Sequence, residues 1–312
     1  MFKNKKVKFL AAVIVIVIAI AFFLYFNFAK KNNGVSTENT KLKVVTSFYP
    51  LYFFASQIAQ DKADVYNITP AGSEPHDYEP STQDVARIED SQLLILNGGK
   101  LEAWGDNIKN TLQGTNTTVI TVGENLTART VVEDGQVITD PHVWLSLNLA
   151  KKEIGLITDG LIKQDPQDAP YYQANAKILV DKLDNLNSEY IIGLKNCAKK
   201  DIVTSHAAFG YLAADYGLNQ VAIAGLSPDA EPTPKQLAEV TNFVKTNSIK
   251  YIFFESLVSP KLSETIASEV GAKTLVLNPI EGLSDEDIHN GKNYFTEMEN
   301  NLINLKIALQ CQ

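Results

Sequence analysis

The stretch DPQDAPYYQANAKILVDKLDNLNSEYIIGLKN, residues 165–196, decides how the rest of the chain is organised. Its large apolar residues recur at helical spacing, which predicts one long helix with a single buried stripe. The stripe consists of Tyr172, Ala176, Leu179, Leu183, Leu186 and Tyr190. A helix from about residue 170 to 195 would be about 38 Å long. Because that length exceeds an ordinary crossover connection, we interpret this helix as a rigid strut between two domains.

Short apolar runs alternate with amphipathic stretches on both sides of the strut, which predicts mostly parallel sheets covered by helices. The predicted strands are 43–48, 63–69, 92–98 and 117–123 before the strut, and 201–206, 220–225, 249–255 and the first part of 272–282 after it. Residues 124–139 are predicted to be a loop, and 286–309 a single final helix. The predicted fold class is therefore α/β, with two Rossmann-like βα domains and one linker helix.

This pattern also predicts the domain boundaries. Residues 1–31 form a transmembrane anchor or signal segment, and 32–42 a flexible polar linker. The first lobe covers 43–165, the linker helix 166–196 and the second lobe 197–312.

The first thirty residues differ from the rest of the chain. Four lysines in MFKNKKVKF precede the run FLAAVIVIVIAIAFFLYFNF at 9–28, which is apolar apart from Asn27. A helix of that length spans about 30 Å, the hydrocarbon thickness of a bilayer, and the basic flank would remain in the cytoplasm. We interpret the segment as an uncleaved membrane anchor; the alternative is a cleaved signal peptide, whose apolar stretch is usually shorter. In both cases the remaining chain works outside the cytoplasm.

The exported part is acidic. The chain holds 28 Lys and Arg against 36 Asp and Glu, and six of the lysines lie in residues 1–31, which contain no acid. The remainder therefore carries 22 basic and 36 acidic side chains, a formal charge of −14. Since a phosphate-binding surface needs clustered Lys and Arg, this balance argues against nucleic-acid binding and is compatible with a cationic ligand.

The two cysteines, Cys197 and Cys311, lie at the two ends of the second predicted lobe. An exported location is oxidising and permits a disulfide, which would fix the last helix to its own lobe. Two unrelated thiols are the alternative. Neither cysteine lies near a cluster of potential ligands, so we predict no metal role for either.

Three of the four histidines follow predicted strands. His76 lies in the proline-braced loop SEPHDYEPS (73–81), His142 in DPHVWLS (140–146) and His206 in TSHAAFGYLA (204–213). Glu281, in NPIEGLS (278–284), also comes just past a strand. Open α/β sheets bind ligands beyond the carboxyl ends of their strands. Three imidazoles and one carboxylate suit a borderline dication and match the tetrahedral preference of zinc, so we predict a metal site between the lobes.

Other residues near these motifs have simpler roles. Asn278 or a water molecule could take the place of Glu281 in the coordination sphere. Asp140 is expected to shape its turn or to orient His142. Ser81, three residues before Asp84, is expected to cap a helix, and His289 is expected to be a surface residue.

The four motifs, in this order, closely resemble those of the zinc- and manganese-binding solute receptors of ABC importers (cluster A-I), and the resemblance covers about residues 43–310. It implies two βα lobes joined by a long helix, with a cation held between them by His76, His142, His206 and Glu281. Histidine at the third position goes with zinc-type members, so Zn²⁺ is the expected ligand and Mn²⁺ the alternative. The implied partners are an ABC permease and its ATPase, and the expected state is a monomer.

Two departures from that family pattern stand out. Many zinc-type members carry a His- and acid-rich loop between the first two ligands, whereas residues 122–139 hold no histidine. The usual lipid-anchoring cysteine is also missing near the apolar segment, which favours the transmembrane anchor.

We therefore predict a non-enzymatic receptor that captures zinc outside the membrane and passes it to a permease. A zinc-dependent hydrolase is the first alternative, but the chain has no HExxH motif and Glu281 would close the fourth coordination position. A surface adhesin with an incidental metal site is the second alternative.

Overall fold

A computed structural model describes residues 16–23, 25, 41–126, 129–133 and 135–312 of the 312-residue chain. Residues 16–23 are helical and expose their large apolar side chains. Within the described ranges, no helix has the length and apolar character needed to cross a bilayer. The remainder of the predicted anchor and most of the predicted linker lie outside the described residues.

The first half of the main body is built on four parallel strands in the spatial order β2-β1-β3-β4. The strands are β1 (Leu42–Thr46), β2 (Ala63–Asn67), β3 (Leu93–Leu96) and β4 (Thr118–Thr121), and the helices are α1 (Tyr49–Ala59), α2 (Thr82–Glu89), α3 (Gly105–Thr111) and α4 (Leu147–Gln164). Every residue of β3 is buried, as expected for a strand covered on both faces.

The second half repeats this arrangement. Its four parallel strands lie in the order β8-β7-β9-β10, which corresponds strand for strand to the order of the first half. The strands are β7 (Asp201–Thr204), β8 (Asn219–Ala222), β9 (Tyr251–Phe254) and β10 (Lys273–Val276), and the helices are α6 (Gly210–Asp215), α7 (Pro234–Thr246) and α8 (Lys261–Val270). The predicted fold class is confirmed.

The long helix α5 (Ala169–Gly193) joins the two halves and buries the six residues of the predicted stripe. It is bonded to both sides. The amide of Asn175 donates a hydrogen bond to the carbonyl of Ile58 at 2.9 Å, and the hydroxyl of Tyr190 donates to the carbonyl of Met298 at 2.6 Å. One apolar core includes residues of both halves and of this helix, so the strut is packed into the body along its length.

Residues 124–139, predicted to be a loop, contain an antiparallel hairpin instead. Its strands are β5 (Thr130–Glu133) and β6 (Gln136–Thr139), paired from Thr130 opposite Thr139. Both strands are rich in β-branched residues, which favour strands. Gly135 turns the chain at a positive φ of 77°. The dipeptide Asp-Gly between two such runs is a strong hairpin signal, and the prediction missed it.

The predicted single final helix is wrong, because two helices occupy that stretch: α9 (Asp285–His289) and α10 (Tyr294–Leu309). Gly291 between them has a φ of 82°, which a continuing helix cannot accommodate. The side chain of Asn293 then caps α10 by accepting hydrogen bonds from the backbone N–H groups of Phe295 and Thr296. His289, at the end of α9, is exposed as expected.

The cysteine pairing is confirmed. Cys197 and Cys311 form a disulfide across a sequence separation of 114 residues. Backbone hydrogen bonds flank it, including one of 3.1 Å from the N–H of Lys199 to the carbonyl of Leu309. The disulfide thus ties the end of α10 to the segment that leads into β7.

Candidate metal centre

His76 lies in the loop between β2 and α2, and the end of that loop is fixed by a capping box. The hydroxyl of Ser81 accepts a hydrogen bond from the backbone N–H of Asp84 at 3.2 Å, and the carboxylate of Asp84 accepts one from the backbone N–H of Ser81 at 3.0 Å. Tyr78 also donates to Asp84, at 2.8 Å. The predicted cap is confirmed, and it holds the imidazole of His76 at the cleft with 8% of its side chain exposed.

His142 follows the hairpin and is held by Asp140. One carboxylate oxygen, Oδ1, lies 3.0 Å from the backbone nitrogen of His142 and 2.9 Å from its Nδ1. Asp140 is buried and cannot donate when ionised, so Nδ1 carries the proton and Nε2 keeps its lone pair. Asp140 therefore both shapes the turn and orients the imidazole.

His206 has an equivalent partner that the sequence analysis missed. The carboxylate of Glu255 lies 2.6 Å from Nδ1 of His206 and also accepts a hydrogen bond from the hydroxyl of Ser205. The amide of Gln220 donates to the carbonyl of His206 at 3.0 Å. Glu255 is the first residue after the apolar strand β9, so its place at the ligand-binding edge of the sheet was the signal that could have identified it.

Glu281 lies in a strained loop after β10. The residue before it, Ile280, has a φ of 59°, which is costly for a β-branched side chain. The amide oxygen of Asn278 holds this turn by accepting from the N–H of Ile280 at 2.8 Å, and the amide nitrogen donates to Glu297 at 2.8 Å. Asn278 thus supports the loop with both ends of its amide, so we no longer consider it as the alternative ligand.

The four predicted ligands meet at one point. One atom from each of His76, His142, His206 and Glu281 lies within 4.8 Å of the other three. The Nε2 of His142 is 3.3 Å from Nε2 of both His76 and His206, and Oε1 of Glu281 is 3.1 Å from His142, 3.4 Å from His76 and 3.4 Å from His206. A tetrahedral zinc ion with bonds of about 2.0–2.1 Å separates its ligand atoms by about 3.3–3.4 Å. The separations therefore match the edges of a zinc tetrahedron.

Hydrogen bonds alone do not account for this cluster. Where Nδ1 of a neutral imidazole carries the proton, as in His142, Nε2 has no proton to donate, yet it faces two other nitrogens and a carboxylate. In addition, Oε2 of Glu281 is buried and has no hydrogen-bond donor within the described part of the chain. Converging lone pairs and an unsatisfied carboxylate oxygen are what a dication compensates.

Electrostatics at the two first-half ligands differ. Burial lowers the pKa of His76, although Glu281 partly opposes that effect. Burial also acts to lower the pKa of His142, but its hydrogen bonds to Asp140 and Glu281 outweigh burial and raise the pKa above its usual value. His76 is therefore neutral at pH 7, whereas the metal-free His142 favours its protonated form.

The second-half ligands form the most strongly charged pair. Burial disfavours the imidazolium of His206, but the negative charges of Glu255 and Glu281 hold its pKa well above the usual value. Conversely, the charge of His206 and the hydrogen bonds of the three imidazoles hold the pKa of Glu281 well below its usual value despite burial. Burial and the charge of Glu281 raise the pKa of Glu74 to about 9, so that neighbouring carboxyl adds no charge at neutral pH.

The two halves are closed against each other around this point. The indole N–H of Trp144 donates to the carbonyl of Pro279 at 2.7 Å, and the hydroxyl of Tyr294 donates to the carbonyl of Trp144 at 2.6 Å. Across the cleft, the N–H of Gly72 donates to the carbonyl of Leu283 at 2.9 Å. The ligands consequently lie in a buried, water-poor site that both halves complete.

Known proteins share this sequence and fold. The family model described as "ZnuA: Zinc-uptake complex component A periplasmic" matches residues 44–308. The high-affinity zinc uptake system protein ZnuA of Bacillus subtilis (strain 168) is 40% identical over 287 residues, 88% of this chain and 90% of that protein. The zinc-binding lipoprotein AdcA of Streptococcus pneumoniae is 43% identical over 277 residues, 85% of this chain but 55% of that protein, so this chain spans about half of AdcA.

A solved structure has the same architecture. The Zn(II)-bound ZnuA-like domain of Streptococcus pneumoniae AdcA superimposes with a TM-score of 0.75 at 43% identity, covering 86% of this chain and 99% of that chain.

Proposed function

Because this chain belongs to the ZnuA family of zinc-uptake components, we propose that it captures Zn²⁺ between its two lobes and delivers it to an ABC-type metal importer. The proposed ligands are His76, His142, His206 and Glu281. We also propose that the lobes extend over 43–165 and 197–312, with 166–196 as the linker. The single observation that carries the proposal is the tetrahedral convergence of one atom from each ligand.

Zinc is the proposed cargo in preference to manganese. Three nitrogen donors and one carboxylate oxygen suit zinc, whereas manganese prefers carboxylates, carbonyls and water. Manganese also favours an octahedral arrangement, which would need ligands beyond the four that converge here.

A carrier fits the site better than a hydrolase does. Catalytic zinc enzymes keep one coordination position open for water, whereas four protein atoms already form the complete tetrahedron here. His142, His206 and Glu281 are buried, and His76 is nearly so. We therefore propose binding and release without catalysis.

The proposed place of action is the outer face of the cell membrane. The acidic exported body is compatible with a cationic cargo, and one relative is named as a lipoprotein. The basic and apolar segment at residues 1–28 is the proposed anchor, and an ABC permease with its ATPase is the proposed partner of a monomeric receptor.

The test is metal binding by the full chain in detergent. After chelation and dialysis, calorimetry should show one zinc ion bound per chain, and X-ray absorption at the zinc edge should show three nitrogen ligands and one oxygen. Zinc should displace manganese in competition. A protein that binds no zinc, or a zinc spectrum with a bound water replacing a histidine, would contradict the proposal.

A further inference from the structure

The hairpin carries a cation against the support of one ligand. Arg129 directly precedes β5, and its Nε lies 3.6 Å from Oδ2 of Asp140. The other oxygen of that carboxylate holds the imidazole of His142. The side chain of Asp140 is 1% exposed, whereas that of Arg129 is 42% exposed. A nearly buried carboxylate thus has a half-exposed cation on one side and a proposed zinc ligand on the other.

The same arginine also reaches the second half. Its backbone N–H donates to the hydroxyl of Tyr211, on α6, at 3.2 Å, and that hydroxyl donates to the carbonyl of Asp140 at 3.1 Å. The guanidinium carbon lies 5.8 Å from the centroid of the Tyr211 ring. One tyrosine of the second half therefore contacts both Arg129 and Asp140.

Gly210 supplies an independent observation of how closely these groups pack. A Cβ atom added there would lie 2.7 Å from Nε of Arg129 and 2.8 Å from Oδ2 of Asp140. The φ of Gly210 lies outside the left-handed region, so its backbone conformation does not require glycine. The close approach of the arginine and the carboxylate is what leaves no room for a side chain.

We propose that Arg129 is a positioning residue for zinc: through Asp140 it holds the imidazole of His142 in its coordinating orientation. Without the cation, the buried carboxylate of Asp140 loses a compensating charge, which is unfavourable, and it would turn toward solvent and release Nδ1 of His142. The inference rests on the proposed zinc-binding function. Loss of such an outer partner typically lowers metal affinity by about 10–100-fold.

The experiment compares four variants of the full chain. Arg129→Ala removes the cation, Arg129→Lys keeps the charge, and Gly210→Ala displaces the guanidinium without removing it. Arg87→Ala is the matched control, since Arg87 lies 3.7 Å from Asp84, is 41% exposed and covers the ring of Tyr66 on α2 and β2, away from the ligands. Zinc affinity is measured by chelator competition, and ligand geometry by the visible absorption spectrum of the Co²⁺-substituted protein.

We expect Arg129→Ala and Gly210→Ala to weaken zinc binding by about tenfold or more and to shift the Co²⁺ bands. Arg129→Lys should recover part of the affinity, and Arg87→Ala should match the wild type in both measurements. A wild-type protein that binds zinc, with an Arg129→Ala variant of equal affinity and unchanged Co²⁺ spectrum, would overturn the inference. So would equal losses in the two alanine variants of arginine. Failure of the wild type to bind zinc would instead reject the proposed function itself.

Discussion

The turn after the first strand of each half has the same construction and a different final residue. The first half reads Thr-Ser-Phe at 46–48, and the second reads Thr-Ser-His at 204–206. In both turns the serine hydroxyl donates to a buried glutamate that follows the third strand of its own half: Ser47 to Glu102 at 2.5 Å, and Ser205 to Glu255. The two halves thus place a similar buried carboxylate at equivalent points.

The two glutamates are used differently. Glu102 also accepts hydrogen bonds from the backbone N–H groups of Asn97 at 2.7 Å and Gly98 at 2.9 Å, so it only ties two turns together. Phe48 beside it packs edge-on against Trp144, with ring centroids 4.7 Å apart. Glu255 instead bonds the imidazole of His206.

The comparison teaches that the turn is a preformed position at the cleft. Its function depends on whether the residue after serine is apolar or a ligand. In the first half the position contributes packing, and in the second half it contributes a proposed zinc ligand.

The largest expected effect tests this division directly. His206→Ala should weaken zinc binding by about 10³-fold or more, because it removes one of four ligands from a type of site that binds zinc with about 10–16 kcal/mol. Phe48→Ala should instead lower the free energy of unfolding by about 3–5 kcal/mol and leave the four ligands in place. Calorimetry with zinc and chemical denaturation of the metal-free protein separate the two outcomes.

The division would be wrong if both substitutions affected the same property. A His206→Ala variant that binds zinc like the wild type would also remove His206 from the ligand set.

The second prediction concerns the disulfide, which closes the second half and has no counterpart in the described part of the first half. Replacing Cys197 and Cys311 together by serine should lower the free energy of unfolding by about 2–5 kcal/mol, since a long loop is no longer closed in the unfolded chain. Zinc affinity should change little, because neither cysteine is a proposed ligand. Denaturant titration of the double variant, with reduced wild-type protein as the control, measures the effect; equal stability of oxidised and reduced protein would contradict it.

The third prediction exchanges the two carboxylates for amides. Glu255→Gln should weaken zinc binding by about 10–100-fold, because the imidazole of His206 loses its charged partner. Glu102→Gln should cost about 1–3 kcal/mol of stability, because an amide N–H would face the backbone donors of Asn97 and Gly98. Its zinc affinity should match that of the wild type. Similar zinc affinities in the two variants would show that the glutamates have the same structural role.

The smallest predicted effect is the pH dependence of binding. His142 and His206 have raised pKa values in the metal-free protein, and zinc binds only the neutral imidazole. Binding at pH 7 should therefore release about one to two protons, and affinity should rise about tenfold per pH unit for each proton released. The lowered pKa of His76 means that it contributes no proton release at that pH.

The metal-free fold should respond to pH in the opposite direction. A raised histidine pKa stabilises the fold at pH below the unfolded value, and that contribution is lost as the pH rises through the folded value. Calorimetry in buffers of different ionisation enthalpy counts the protons, and thermal unfolding without metal gives the stability. Zinc binding without proton release at pH 7 would contradict the pKa shift of His206.

Sequence alone determined the features that depend on neighbouring residues. The stripe of helix α5, the continuous apolar strand β3 and the capping box at Ser81 all follow from local periodicity or short-range hydrogen bonding. The position of three histidines after strands placed them at one edge of two sheets. Where local signals were present but passed over, as with Gly135 in the hairpin and Gly291 before α10, the prediction failed although the information was there.

Only the tertiary structure decided which side chains support the ligands. Glu255 reaches His206 across 49 residues, and Glu281 meets His142 across 139. Local periodicity gives the strand edge at which a residue lies, but such pairings also depend on how two sheets and a strut pack together. The support of His142 by Arg129, over a glycine of the other half, has the same origin: a contact between halves is set by the packing of the whole chain.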